Sequence, residues 1–262
     1  PLPRKSLPTE FGRKIGGMRL HVGCCGWNYL RGEDVGEPDW RGKYPHKLAL
    51  YAAHYDLVEV NSTFYKLPKV STARRWRELA DSVNPNFSFT VKAYQGLTHE
   101  ARFRGELARE SFAGTLEIAE ALRARIVLIQ TPASFRPTEE NVSALEEFFG
   151  GLGDHGFLLV WEPRGKWEEE LELVERICRR YGLVHCADPF KAPPVLTQDL
   201  TYLRLHGSPP GQRMYRYTYT DEDLRWLAGR LRELPVKEIY LLFNNDTMYR
   251  DAKRFLAVWE EG

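Results

Sequence analysis

Short apolar runs alternate with longer amphipathic stretches from residue 18 to the end of the chain. Eight runs have the length and the β-branched and aromatic content of strands: about 19–25 (RLHVGCC), 57–61 (LVEVN), 87–92 (FSFTVK), 125–130 (RIVLIQ), 157–162 (FLLVWE), 183–188 (LVHCAD), 201–206 (TYLRLH) and 238–244 (EIYLLFN). Between them the pattern predicts helices over 47–55, 71–81, 105–123, 138–150, 167–181, 221–233 and 248–260, with a short or absent helix after the sixth strand. Thr138 and Asp221 open acid-rich first turns, as helix starts prefer. Eight strand–helix units without a linker predict an α/β fold, a single TIM-like (β/α)8 barrel over residues 18–262, irregular around the sixth unit. The Pro- and Gly-containing residues 1–17 read as an N-terminal arm.

Alternation within the strands sorts their faces. In a barrel one face packs on the helices and the other points inward, so polar residues at strand C-termini should share the inward parity. Glu59 and Asn61 alternate with Val58 and Val60; Ser88, Thr90 and Lys92 alternate with Phe87, Phe89 and Val91. Gln130 closes the fourth strand, Glu162 and then Arg164 the fifth, Asp188 the sixth, Arg204 and His206 the seventh, and Asn244 the last. Polar residues at seven of eight strand ends exceed what scattered surface charge would give. They predict a site at the barrel mouth, with Glu59 facing Lys92, Arg164 and Arg204; the alternative is a self-satisfied ion network at the rim.

Composition narrows the classes. A chain of 262 residues with 43% hydrophobic content can bury a substantial core. Its net charge of +1 gives no global field to attract nucleic acid or membrane, so any basic surface must be local. No apolar run is long enough to span a bilayer and no apolar signal core begins the chain, so a cytoplasmic location without membrane association is expected. Cys24, Cys25, Cys178 and Cys186 lack metal or disulfide spacing and read as buried thiols; adjacent Cys24 and Cys25 point to opposite faces.

Three chemistries compete at the mouth. Glu59, Glu162, Asp188 and His206 are donor types for a divalent ion, but three cations share their ring and no clustered histidine motif is present, so a site without metal or other cofactor is expected. His206 is either a general acid/base or a hydrogen-bonded orienting residue. Lys92 is either a Schiff-base nucleophile or the ion-pair partner of Glu59 or Glu162. The glycine-rich run GGLGDHG (150–156) precedes a strand, at the opposite end from the site, and reads as a helix cap and turn. The loops GWNYLRGEDVGEPDWRGKYPH (26–46) and GSPPGQRMYRYTYT (207–220) interleave Trp27, Tyr29, Trp40, Tyr44 and Tyr215, Tyr217, Tyr219 with arginines. Such loops suit stacked bases, sugar rings and phosphates, or pack on themselves.

The segments GCCGWNY (23–29), WRGKYP (40–45), VEVNSTFY (58–65), FTVKA (89–93), LIQTPASF (128–135), WEPRGKW (161–167), ADPF (187–190), YLRLHG (202–207) and FNND (243–246) resemble, in order, the motifs of the YecE-like family, domain of unknown function seventy-two. The resemblance implies a TIM-like barrel similar to endonuclease IV and the xylose isomerase-like barrels, with no established activity. The histidine-rich metal sites of those barrels have no counterpart here, and Cys25 stands where the family often has a serine.

These readings converge on a metal-independent enzyme acting on a phosphate-bearing sugar, nucleotide or nucleic acid, its partner a phosphate-bearing small molecule or nucleic acid. Glu59, Lys92, Glu162 and His206 form the catalytic set, with Glu59 or Glu162 as base and Lys92 as electrostatic stabiliser. Arg164 and Arg204 bind phosphate, Asn61 and Asn244 orient the ligand, and Trp27, Gln130, Asp188 and Tyr215 complete the binding set. A Schiff-base aldolase or lyase using Lys92 and a non-catalytic nucleic-acid-binding module are the alternatives. The sequence leaves the oligomeric state open.

Overall fold

The computed structural model describes residues 13–15, 17–196 and 198–261. Its strands are β1 (Arg13–Ile15), β2 (Met18–Cys24), β3 (Leu57–Val60), β4 (Ser88–Lys92), β5 (Ile126–Gln130), β6 (Leu158–Glu162), β7 (Val184–Ala187), β8 (Leu200–Leu205) and β9 (Glu238–Phe243). Strands β2 to β9 pair in parallel in chain order, and β2 closes the circle on β9 from Arg19↔Glu238 to Cys24↔Phe243. The result is the eight-stranded TIM-like barrel expected, each boundary within two residues of its apolar run.

The expected arm, residues 1–17, lies mostly outside the described residues. Its Arg13–Ile15 segment forms β1, antiparallel to β2 from Arg13↔Leu20 to Ile15↔Met18. Strand β3 starts late and meets β2 only at Gly23↔Leu57 and Cys24↔Val58, so β1 covers the part of the β2 edge that β3 leaves bare. The two barrel strands come so close that a Cβ on Gly23 would fall 1.9 Å from the Leu57 carbonyl oxygen.

The helices are α1 (Gly32–Val35), α2 (Lys47–His54), α3 (Val70–Asp81), α4 (Gly105–Ala121), α5 (Glu139–Gly150), α6 (Leu171–Tyr181), α7 (Asp221–Arg232) and α8 (Met248–Glu261). The Thr138 hydroxyl caps α5 by accepting from the Asn141 N–H. Helix α7 is capped by Thr220 rather than Asp221: its hydroxyl accepts from the Asp223 N–H at 3.1 Å, and Asp223 Oδ2 accepts from the Thr220 N–H at 2.8 Å. Among the described residues no helix separates β7 from β8, where Pro189, Pro193 and Pro194 remove amide donors and fix φ. Short turns missed by periodicity also occur: α1 and a 3-10 turn over Trp40–Gly42, a π-helical turn over Gly96–Glu100, and a 3-10 turn over Gly165–Glu169 that delays α6 to Leu171.

The core has two shells. Outward residues such as Val58, Val60, Phe89, Val91, Val127, Ile129 and Trp161 pack against the helices. Inward residues Leu57, Ile126, Leu128, Val160, Val184, Cys186, Leu200, Tyr202 and Leu242 fill the barrel, with the polar strand ends Glu59, Lys92, Glu162 and Arg204 following the same inward parity. All four cysteines are free and buried; Cys24 belongs to the outer shell and Cys25 to the inner.

Candidate functional site

Arg204, at the end of β8, is buried between two carboxylates. Its Nη2 donates to Glu59 Oε1 at 2.8 Å and its Nη1 to Glu162 Oε2 at 2.6 Å. The Tyr202 hydroxyl donates to Glu59 Oε2 at 2.9 Å and meets Thr90 Oγ1 at 2.8 Å, so both oxygens of a fully buried Glu59 are occupied. Arg164 Nη2 donates to Glu162 Oε1 at 3.0 Å. Burial alone would raise the Glu162 carboxyl, but Arg204, Arg164 and His206 hold it well below the usual carboxylate range. Two carboxylates and two guanidiniums thus neutralise one another.

His206 Nε2 lies 2.8 Å from Glu162 Oε1 and Nδ1 lies 3.2 Å from Asn244 Nδ2. Burial pushes the imidazole down to about 4, against the pull of Glu162. A neutral ring that donates through Nε2 and accepts through Nδ1 satisfies both contacts, so Arg164 Nη2, 3.2 Å from Nε2, is a neighbour rather than a donor to it. With both nitrogens engaged, His206 has the geometry of an orienting residue. Asp188 turns to the backbone, accepting from the N–H groups of His206 at 2.9 Å and Phe190 at 3.1 Å, and burial raises its carboxyl to about 6.

Lys92 stands apart from this network. The expected pairing with Glu59 or Glu162 does not form, because Arg204, Tyr202, Arg164 and His206 already occupy those carboxylates. Among the described residues Lys92 has no ion pair and no hydrogen bond through Nζ; its ammonium sits 4.1 Å from the centroid of the Phe64 ring. Burial first, and then the Arg204 guanidinium, push it down to about 8, against Glu59 and Glu162.

Lys92 faces a cavity of about 620 Å³ at the C-terminal mouth, lined also by Cys25, Asn61, Tyr65, Tyr215, Asn244 and the start of α8. Tyr215 holds a left-handed φ of 68°, fixed on both sides by its N–H to the His206 carbonyl at 2.7 Å and its carbonyl to the Asp246 N–H at 2.8 Å. Behind this wall the buried Asp251 accepts from Asn245 Nδ2 and Thr247 Oγ1 at 2.7 Å each, which fixes the turn into α8.

Of the residues singled out by sequence, Asn61, Lys92, Tyr215 and Asn244 line the cavity, while Glu59, Glu162, Arg164, Arg204 and His206 form the neighbouring network. Three readings need correction. Arg204 is not free to hold phosphate, since both terminal nitrogens are spent on carboxylates. Glu59 and Glu162 are poorly placed as bases, one sealed under Tyr202 and Arg204 and the other held ionised by three donors. Trp27 is buried against Trp76, ring centroids 5.1 Å apart, and belongs to the outer core. Gln130 closes β5 outside the cavity lining, as Asp188 does at β7.

Tyr29 and Arg31 of the aromatic, arginine-bearing loop 26–46 line the cavity wall; sequence reasoning missed Tyr65 and Arg250 on the same wall, and His99 in the π-helical turn, whose ring meets Phe64 at 4.8 Å. The loop aromatics divide between both roles: Tyr29 is 84% exposed at the mouth, whereas Tyr219 is buried. Among the described residues no group of three or more His, Cys, Asp and Glu side chains is arranged to hold a metal ion, and no helix is long and apolar enough to cross a membrane.

A family model described as "Protein of unknown function DUF72" matches residues 21–261. UPF0759 protein YunF of Bacillus subtilis is 25% identical over 87% of this chain and 89% of its own. A DUF72 family protein from Enterococcus faecalis superposes with a TM-score of 0.71 at 20% identity, covering 92% of this chain and 95% of its own. A second, from Thermotoga maritima, gives 0.65 at 26% identity over 92% and 99%. An AP endonuclease of family 2 from Brucella melitensis shares the barrel alone, with a TM-score of 0.55 at 13% identity over 93% and 98%.

Proposed function

The chain belongs to the DUF72 family of proteins of unknown function and folds as a TIM-like barrel, and from that premise we propose that it is an enzyme whose reactive group is the amine of Lys92, used on a small carbonyl compound in the mouth cavity. One observation carries this reading: Glu59, Glu162, Arg164 and Arg204 pair with one another, whereas Lys92 is buried, faces the cavity and, among the described residues, has no carboxylate partner. A lysine that titrates near 8 exposes about a tenth of its population as free amine at neutral pH, far more than an ordinary lysine.

The step is imine formation. The Lys92 nitrogen, as free amine, bonds to the carbonyl carbon, one proton from that nitrogen and one from solvent pass to the carbonyl oxygen, and that oxygen leaves as water, so that the nitrogen keeps one proton and the imine forms as its cation. The protonated imine then accepts the electron pair of a neighbouring C–H bond, whose proton passes to solvent, or of a C–C bond, whose other carbon leaves as a second carbonyl compound, which defines a lyase, aldolase or isomerase. Asn61 and Asn244 supply uncharged donors and acceptors around the carbonyl. Borohydride reduction in the presence of short aldehydes should add the reduced adduct to Lys92 and not to Lys92→Met protein. Equal labelling of surface lysines, with none at Lys92, would remove the proposal.

A second reading rests on the exposed rings of Tyr29, Tyr65 and Tyr215 around the mouth, which offer faces for stacking sugars or bases. It describes a nucleic-acid-binding module, and the likeness to an AP endonuclease supports it only at the level of fold. Anisotropy of labelled single-stranded, duplex and abasic oligonucleotides at two salt concentrations separates the readings: a module gives saturable binding with a steep salt slope.

A further inference from the structure

The wall opposite the barrel strands carries a second, independent polar feature. Helix α8 is 14 residues long and begins at the cavity, which Thr247, Met248, Tyr249 and Arg250 line. The Met248 N–H donates to the Asn245 carbonyl and the Asp251 N–H to the Thr247 carbonyl, whereas among the described residues the N–H groups of Tyr249 and Arg250 find no protein acceptor. Beside them, Asp34 acts as a post for two guanidiniums: Arg250 Nε lies 2.9 Å from Oδ1 and Arg31 Nε 3.6 Å from Oδ2. Two positive charges on one carboxylate leave a surplus, and among the described residues the terminal guanidinium nitrogens of Arg31 and Arg250 have no acceptor.

Lys92, only 7% exposed and unpartnered, adds a further uncompensated positive charge to the same cavity. Asn61 also lines this cavity, its Oδ1 buried without a protein partner. The acids in the lining do not cancel this surplus: Asp34 is shared between Arg31 and Arg250, and Asp246 lies 3.6 Å from Arg216.

We infer that the N-terminus of α8 with Arg250 and Arg31 forms a binding site for a phosphate monoester, so that the compound meeting Lys92 is a phosphorylated aldehyde or ketone. Free amides at a helix N-terminus and two guanidiniums match the three acceptor oxygens of a terminal phosphate. The inference rests on the Lys92 reading for the carbonyl and on different residues for the phosphate, so the two can fail separately.

The test compares reductive labelling of Lys92 by glyceraldehyde and by glyceraldehyde 3-phosphate, alongside titration with inorganic phosphate followed by calorimetry. The phosphorylated aldehyde should label about tenfold faster. Inorganic phosphate should compete, acetate should compete poorly, and Arg250→Ala should bring the ratio of the two labelling rates close to one and weaken phosphate binding. Arg250 is more than half exposed at its side chain, so its removal leaves the folded core in place, and circular dichroism of the variant checks this. Equal rates without phosphate binding overturn the phosphate site while leaving Lys92 as the nucleophile. Phosphate binding lost in Arg250→Ala, with no labelling of Lys92 by either aldehyde, upholds the site and removes the imine. Binding that survives in Arg250→Ala, or acetate competing as well as phosphate, overturns the inference.

Discussion

The two halves of the barrel mouth treat charge in opposite ways. On one side, β3, β6 and β8 bring Glu59, Glu162 and Arg204 into a chain of contacts, closed off by Tyr202, Arg164 and His206, all of 2.6–3.0 Å. On the other, β4 presents Lys92 with an aromatic ring on one face and a cavity on the other. Both sides are buried and both contain the residue types expected of an active site. The network resists change because its carboxylates and guanidiniums are matched in charge and contact one another, Arg204 Nε alone among the Arg204 nitrogens being buried without a partner, whereas an unpaired lysine is held in a state that a ligand can improve.

Substitutions can break this contrast. Arg204→Met leaves two buried carboxylates without a cation and should cost about 3–5 kcal/mol, read as a fall in the urea midpoint. Glu59→Gln keeps the shape but removes one of the two charges on Arg204, and a loss of about 1–3 kcal/mol is expected in the same assay. Lys92→Met should act with the opposite sign, since it removes an uncompensated buried charge: a gain of about 1–2 kcal/mol at pH 7, with aldehyde trapping abolished. The gain depends on pH. The folded-state value near 8 lies below the ordinary lysine value, so the unfolded chain binds more protons between the two, and wild-type stability rises with pH across that window. The advantage of Lys92→Met should therefore be full below pH 8 and shrink above it. Tyr29→Ala, at an exposed ring, should shift stability by less than about 0.5 kcal/mol and report on ligand binding alone.

Much of this was legible in the chain. The oddity of Glu59 between Val58 and Val60 follows from the two-residue period of a strand, and the same period placed Lys92, Glu162 and Arg204 on the inner face. What alternation does not carry is distance across the barrel. Which cation meets Glu59 depends on the reach of Arg204 from β8, and a guanidinium can bridge two carboxylates where an ammonium cannot match the geometry. Trp27 illustrates the same limit, since a loop aromatic next to a strand end can turn into the outer shell. Arg31 was visible only as one basic residue of an aromatic loop and Arg250 not at all, because Arg31 meets Asp34 locally, three residues on, whereas Arg250 reaches the same carboxylate only when the closed barrel brings α8 beside α1. The π-helical turn carrying His99 has no apolar period to announce it.

The claim that Lys92 is the uncommitted charge of the mouth is tested most directly by the titration of its own side chain, followed by nuclear magnetic resonance with Lys92→Met to assign the signal. A midpoint near 8 is predicted, with a shift when phosphate is added. A midpoint above 10 would mean that a carboxylate holds its proton after all, and the contrast between the two halves of the mouth would fall with it.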